Sequence, residues 1–89
     1  MLTIHKRKQK KSSPFVVYEV FYNDNFFDYV WEPKNFKGPH KENFLVPPDA
    51  VTNPETFDEK IVDIKSWNWF HTLEEAQNYL LTSKFTNKL

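Results

Sequence analysis

The sequence predicts a small α+β domain, in which an antiparallel sheet of three to five strands carries one C-terminal helix and a long proline-rich loop interrupts the strands. Two observations predict this fold. Segment 15–31 holds two runs of β-branched and aromatic residues separated by Asn23-Asp24-Asn25, which is typical of a hairpin. Segment 73–80 repeats apolar residues at helical spacing directly after a capping signal. So short a helix needs a sheet to pack on, because it is not stable alone in water.

The first strands are predicted from residue type and alternation. Leu2 and Ile4 alternate with polar residues, as in a short edge strand. Segment 15–22 carries rings or branched side chains on both faces, which indicates a central strand. Segment 26–31 returns as its hairpin partner, and strict alternation puts its residues 27, 29 and 31 on one face. Pro33 ends this strand, because proline cannot donate to a sheet ladder.

The middle of the chain, residues 33–59, is predicted to be a long irregular loop. It contains five of the six prolines and the single glycine, with one brief strand predicted over residues 43–46. Such a loop is uncommon in a compact domain unless it is functional. Its rings Phe36, Phe44 and Phe57 either fix the loop to the domain or form a surface for a partner.

Another strand is predicted over residues 60–66, with Val62 and Ile64 on one face. Trp67 and Trp69 fall on the opposite parity. Two explanations remain open. Either both faces of the sheet are covered, or a bulge near the end of this strand changes the phase.

The C-terminal helix is the best specified element. Thr72 and Glu75 have the spacing of a capping box, in which each side chain accepts from the other residue's backbone N–H. Four apolar side chains fall within one arc and predict the buried face of the helix: Leu73, Ala76, Tyr79 and Leu80. Residues 83–89 are predicted to be a tail.

Length and composition limit the class of protein. The 89 residues are expected to form one domain, 1–89, and the nine Phe, four Tyr and three Trp predict a ring-rich core. The chain has no cysteine, which excludes disulfides, thiolate zinc sites and cysteine nucleophiles and favours a cytoplasmic location. No apolar run approaches the roughly 20 residues that span a bilayer, so we expect no membrane partner.

The net charge of zero hides an uneven distribution. The first 11 residues contain five basic and no acidic residues, whereas the rest of the chain contains seven basic and twelve acidic ones. We predict a partly flexible basic arm over residues 1–13 that contacts phosphates or an acidic partner. Its candidate contact residues are Lys6, Arg7, Lys8, Lys10 and Lys11. The alternative is that these charges serve solubility and protect an edge strand from aggregation.

Motifs of catalysis are missing from the sequence. It has no glycine-rich phosphate loop, no nucleophile elbow and no metalloprotease motif, and its three histidines are dispersed. Asp24, Asp28 and Glu32 share strand parity, which we interpret as a solvated acidic strand edge rather than a cation site. We therefore predict a protein that is not an enzyme and that has no cofactor and no metal.

The run over residues 70–80, with the pattern Phe-x-Thr-x-x-Glu-Ala-x-x-Tyr-Leu, resembles the strand-to-helix junction of small DNA-binding modules. These are three-stranded sheets with one helix, such as the arm-binding domains of tyrosine recombinases. That resemblance implies a sheet that enters the major groove with basic and polar side chains. The predicted strands of this chain instead carry the acidic Glu19, Asp28 and Asp63. The resemblance is therefore restricted to the junction.

Two functions from different classes are consistent with the sequence. The first is a small non-catalytic protein-interaction module, of adaptor or inhibitor type, because aromatic residues are the usual anchors of interfaces. Its candidate partner-binding residues are Trp31, Phe36, Phe44, Trp67 and Trp69. The second is a nucleic-acid-associated module, in which the basic arm holds phosphates while rings stack on bases.

Overall fold

A computed structural model describes residues 2–8, 11–47 and 63–84. The strands are β1 Leu2–Lys6, β2 Phe15–Tyr22, β3 Asn25–Pro33, β4 Phe44–Val46 and β5 Asn68–Phe70. They form one antiparallel sheet in the order β1-β2-β3-β4-β5. A 3-10 turn, Ile64–Ser66, precedes β5, and helix α1, Leu73–Tyr79, continues into a π-type turn, Leu80–Lys84. The predicted α+β class is confirmed, with five strands and one C-terminal helix among these residues.

Parts of several predictions lie outside the described residues. These parts are residues 48–59 of the long loop, residues 60–62 of the following strand, Lys10, and the end of the tail. The described start of the predicted arm includes β1, as the Leu2/Ile4 alternation indicates. The predicted brief strand over residues 43–46 is β4, which pairs with both β3 and β5.

The β2–β3 hairpin closes through a two-residue turn. Tyr22 pairs with Asn25, so the predicted three-residue turn is one residue too long. Asn23 and Asp24 both have positive φ, 49° and 68°, as the mirror-image turns of tight hairpins require. Asn and Asp adopt this backbone conformation at low cost, which explains their place here.

A β-bulge shifts the register of this hairpin. Val20 pairs with Asp28 while Phe21 pairs with Phe26, so Phe27 is an extra residue on β3. The predicted alternation is therefore wrong at Phe27, which packs with Val20 on the opposite face from Tyr29. Phe26 instead shares the face of Phe21 and Tyr29, and its ring contacts both of theirs.

Asp28 directly follows the bulge residue Phe27 on β3. The predicted solvated acidic edge is wrong for this residue, because Asp28 is fully buried and its Oδ1 accepts from the backbone N–H of Tyr29 at 2.7 Å. Such a local bond between side chain and backbone competes with the regular ladder. Glu32 also has a partner, since its Oε1 accepts from the Tyr18 hydroxyl at 2.8 Å. Asp24 is exposed in the turn.

Helix α1 packs on one face of the sheet. The Glu75 backbone N–H donates to the Thr72 hydroxyl at 3.1 Å, as the capping box predicts. Ala76 and Leu80 are buried and Leu73 and Tyr79 half-buried, which confirms the predicted face. The buried members of this helix-face core are Val20, Phe27, Val30, Val46, Ala76 and Leu80.

The opposite face of the sheet carries a second core. Its buried members are Phe15, Val17, Trp31, Leu45 and Trp67. The Trp31 ring meets Trp67 and Phe15 edge to face, each at a centroid distance of 5.4 Å. Neither explanation for the tryptophan parity holds for the described residues, because Ile64 lies in a 3-10 turn and packs against the same core as Trp67 and Trp69.

The prediction of a strand through residue 66 is wrong for its described part. Asp63 caps the turn that follows it: its Oδ1 accepts from the Lys65 N–H at 3.0 Å, and its carbonyl oxygen accepts from the Ser66 hydroxyl at 2.7 Å. An aspartate that captures nearby N–H groups favours a turn over a ladder. The turn then places Trp67 in the second-face core.

The loop before β4 closes tightly on Trp69. Gly38 donates its N–H to the Glu42 carbonyl and accepts from the Lys41 N–H, both at 3.0 Å. A Cβ at Gly38 would lie 2.5 Å from Trp69 Cε3 and 2.6 Å from Glu42 Oε1. Glycine is thus required by close approach to an indole ring.

We predict that Gly38→Ala lowers the free energy of unfolding by about 1–3 kcal/mol, because the added methyl overpacks against the Trp69 ring. Urea denaturation followed by tryptophan fluorescence measures this change. Asn35→Ala, at an exposed site in the same loop, is the control and should stay within about 0.5 kcal/mol of the wild type. Equal stability of the two variants would contradict the close packing of Gly38 on Trp69.

Tyr18 should titrate anomalously. Burial, followed by its hydrogen bond to Glu32 and the charge of that carboxylate, raises the pKa of Tyr18 to about 12. Because the folded pKa exceeds the ordinary value of 10.0, this group's contribution to stability is complete below pH 10 and is lost as the pH rises towards 12. Tyr18→Phe should remove a late step from the tyrosinate absorbance, and Glu32→Gln should move that step to lower pH. An unchanged late step in Tyr18→Phe would contradict this assignment.

Candidate functional site

Among the described residues, those that pack on the second face of the sheet cover only part of it. Its core occupies one end of β2 and β3, where Phe15 and Val17 lie beside Trp31. Towards the hairpin turn, the same face continues over β1, β2 and β3 without the helix, which packs on the other side. We call this continuation the open face, and its members are His5, Arg7, Glu19, Phe21, Phe26 and Tyr29.

Strand register brings these residues together. His5 of β1 pairs with Glu19 of β2, and Glu19 pairs with Tyr29 of β3. One step closer to the turn, Phe21 pairs with Phe26 across the bulge. Directly paired residues lie on the same face of a sheet, so three strands present their side chains side by side.

The rings of the open face form a continuous series. Centroid distances are 5.6 Å from His5 to Phe21, 5.9 Å from Phe21 to Phe26 and 4.8 Å from Phe26 to Tyr29. The first two pairs meet edge to face, which is a favoured arrangement for aromatic rings. Phe26 remains 43% exposed within this series.

Arg7 connects the basic segment to these rings. Its backbone N–H donates to the Val17 carbonyl at 2.9 Å, which continues the β1–β2 pairing beyond Lys6. Its guanidinium donates to the Tyr29 hydroxyl at 3.4 Å and lies 6.0 Å from the centroid of that ring. The Arg7 side chain therefore crosses β2 to reach β3, and it places a positive charge beside the aromatic series.

Chemically, the open face combines apolar ring surface with a few polar groups. The half-buried Glu19 pairs with His5 and Tyr29 on the neighbouring strands. Arg7 supplies donors that suit a carboxylate or phosphate. Tyr, Phe and Arg are enriched in protein interfaces, and rings with basic residues also suit single-stranded nucleic acid.

The five residues predicted to bind a partner occupy different environments. Trp31 and Trp67 are only 2% and 6% exposed and pack in the second-face core. Trp69 is half-buried, and its indole N–H donates to the Ile64 carbonyl at 3.1 Å. Phe44 is half-buried against the helix-face core. Phe36 is 40% exposed and meets Phe15 edge to face. Partner binding by these residues stays a prediction.

Of the residues predicted to contact phosphate, the structure describes Lys6, Arg7, Lys8 and Lys11. Lys6, Lys8 and Lys11 are exposed, and Arg7 reaches the open face. The Lys34 ammonium donates to the Lys11 carbonyl at 3.4 Å and adds a further positive charge. Phosphate contact by this segment stays a prediction.

Sequence reasoning missed the open face. Phe21, Phe26 and Tyr29 are predicted strand residues, but alternation assigns Phe26 and Tyr29 to opposite faces. Only the bulge brings them together. The sequence signal that was available is Asp28, a polar residue with a short side chain in the middle of an aromatic strand.

Glu42 is the other buried acid and serves the loop. Its Oε1 accepts from the His40 N–H at 2.7 Å. Burial alone would raise the pKa of Glu42, but the N–H groups of Glu42 and His40, with the nearby side chains of His40 and His71, together lower it. Within residues 2–8, 11–47 and 63–84, no three His, Asp or Glu side chains are arranged to hold a metal ion.

No helix among the described residues is both long and apolar enough to cross a membrane. Comparison with known proteins gives no match for this chain among family models, curated proteins or solved structures.

Proposed function

We propose that this chain is a small non-catalytic protein-interaction module, of adaptor or inhibitor type, that docks on a larger protein through its open face. The observation that carries this proposal is the exposed ring of Phe26 inside a continuous series of rings. A single exposed ring is normal on a protein surface, but adjoining rings beside an arginine are typical of a binding site.

The open face has the properties of an energetic centre for binding. Hot spots are enriched in Tyr, Trp and Arg and lie where water is excluded on binding. Here Tyr29 and Arg7 contact each other beside the Phe26 ring. Because these side chains project from paired strands rather than from a loop, little conformational entropy is lost when a partner covers them.

The size of the open face sets its role within an interface. A stable interface covers about 800 Å² on each partner, more than six side chains present. The open face would therefore be the apolar centre, and flanking polar groups such as Thr3, Lys8 and Asp24 would form the rim. Because the chain has no cysteine, it needs no oxidising compartment, and a cytoplasmic location is part of the proposal.

The test uses two exposed phenylalanines as a matched pair. Phe26 is 43% exposed on the open face, and Phe36 is 40% exposed outside it. In affinity capture from the native host with quantitative mass spectrometry, Phe26→Ser should lose the enriched partner and Phe36→Ser should keep it. With the isolated partner, calorimetry should show binding at least about tenfold weaker for Phe26→Ser, as expected for a hot spot.

Two outcomes would contradict this proposal. Failure to enrich any partner with the wild-type chain would oppose the interaction function. A partner that Phe26→Ser retains and Phe36→Ser loses would place the docking surface on the loop that precedes β4. Urea denaturation of both variants shows whether either change acts through stability instead.

A second candidate function is the binding of single-stranded nucleic acid. The observation that favours it is the Arg7 guanidinium beside the Tyr29 ring, with Lys8 and Lys11 nearby in sequence. Rings that stack on bases, next to cations that hold phosphates, are the common means of such binding. The acidic Glu19 within the open face is less favourable for a polyanion.

For this second candidate, DNA and RNA oligonucleotides should bind with a strong salt dependence. Five phosphate contacts predict a slope of log K against log salt of about −3.5 for single strands. A variant with Arg7, Lys8 and Lys11 all changed to glutamine should lower both affinity and slope. Fluorescence anisotropy across a salt series measures them, and absence of binding near 0.15 M salt would exclude this function.

A further inference from the structure

The outer edge of β1 has a defined set of backbone groups. The Arg7 N–H points to Val17 on β2. N–H and C=O groups alternate in direction along an antiparallel strand, so those of Thr3 and His5 also point to β2. The groups of Leu2, Ile4 and Lys6 therefore point away from the sheet. In the described sheet, β1 has a neighbouring strand on one side only.

Among the described residues, this edge lacks most of the devices that block strand addition. Natural sheets protect edges with prolines, bulges, inward charges or very short strands. β1 has five residues in continuous register, without a proline or a bulge, and its one lysine is at its end. The opposite edge is different, because β5 has three residues and leads directly into the capped helix α1.

Side chains on both faces of β1 would gain from a further strand. Leu2 and Ile4 are half-buried at the margin of the helix-face core. On the other face, the exposed His5 ring contacts Phe21 of the open face. Both apolar surfaces therefore extend to the strand edge, where side chains of an added strand would bury them.

The positive charge at the end of β1 predicts which side chains an added strand should have there. Lys6, Arg7 and Lys8 follow one another at the end of β1, and no acidic residue occurs in the first 11 positions. A basic segment would repel the corresponding end of a second copy or of any basic peptide. Acidic side chains at the matching end of the incoming strand would be attracted, most strongly at low salt.

We propose that β1 accepts an extended segment of the partner protein as a sixth strand, with apolar residues beside Leu2 and Ile4 and acidic residues beside Lys6 and Lys8. This inference rests on the proposed function, since the segment belongs to the protein that covers the open face. Backbone hydrogen bonds to Ile4 and Lys6 supply affinity, and the charges set orientation and specificity.

The probe is a display library of random ten-residue peptides, selected on the full chain and then labelled with fluorescein. We expect enriched peptides to combine alternating β-branched or aromatic residues with at least two acidic residues at one end. On binding, the outward amides of Ile4 and Lys6 should exchange with deuterium at least tenfold more slowly. The inward amides of Thr3 and His5 are already protected and should change less.

Proline at an outward position isolates the backbone contribution. Lys6→Pro removes one outward N–H, in an orientation that edge strands tolerate, whereas His5→Pro would remove a bond within the sheet. Lys6→Pro should weaken peptide binding at least tenfold. Lys6→Ala, which loses the charge but keeps the N–H, should weaken it less than about threefold. Urea denaturation confirms that both variants remain folded.

Each other outcome overturns the inference. Enriched peptides without acidic residues would contradict the charge argument, and equal binding by Lys6→Pro and Lys6→Ala would contradict strand addition. A concentration-dependent dimer in light scattering that Lys6→Pro abolishes would assign the edge to a second copy of this chain. If Lys6→Pro still captures the host partner while Phe26→Ser does not, the proposed function stands and strand addition fails.

Discussion

The extra residue on β3 determines which aromatic side chains form the core and which remain accessible. With regular alternation, Phe27 would join Tyr29 and Trp31 on one face, and Phe26 would turn to the helix. The bulge at Phe27 reverses this arrangement near the hairpin turn. Phe27 then fills the helix-face core, while Phe26 completes the series of rings on the other side.

Different structural elements cover the two faces of the sheet. A capped helix supplies a whole apolar surface to one face, through Ala76 and Leu80. On the other face no helix packs among the described residues, and the core there is completed by Trp67, which the Asp63-capped turn directs inward. Tryptophan is the largest side chain, so one residue can replace much of the surface that a helix would provide. Trp67 and its neighbours cover only one end of this face, and the open face lies beyond that end.

How much of this could be predicted depends on whether the cause is local. The strands β1 and β2 and the capped start of α1 follow from alternation, residue type and the Thr72/Glu75 spacing, which act within a few residues. The hairpin turn follows almost as well, with an error of one residue. The turn at residues 64–66 was missed because the apolar Ile64 resembles a strand residue, while the Asp63 side chain decides the geometry.

The candidate site was less predictable than the fold, because burial of a ring is a tertiary property. Trp31 and Trp67 suggested recognition by their residue type, yet they form the centre of a core. Phe26 resembles any strand phenylalanine in the sequence, and it is exposed because of a register shift beside Asp28. Residue type identifies interface anchors only after packing has decided which rings remain accessible.

The open face and the outer edge of β1 adjoin each other in the described sheet. The sheet of the described residues ends at the strand that carries His5 on one face and Ile4 on the other. If this edge had no role beyond folding, lysines along its whole length would protect it from aggregation, as in many natural sheets. Here Leu2–His5 contains no Lys, Arg, Asp or Glu, and the cations are concentrated from Lys6 onwards. Because the cations follow the apolar part of the edge rather than interrupting it, the edge stays available for pairing. The same cations attract acidic strands and repel basic ones.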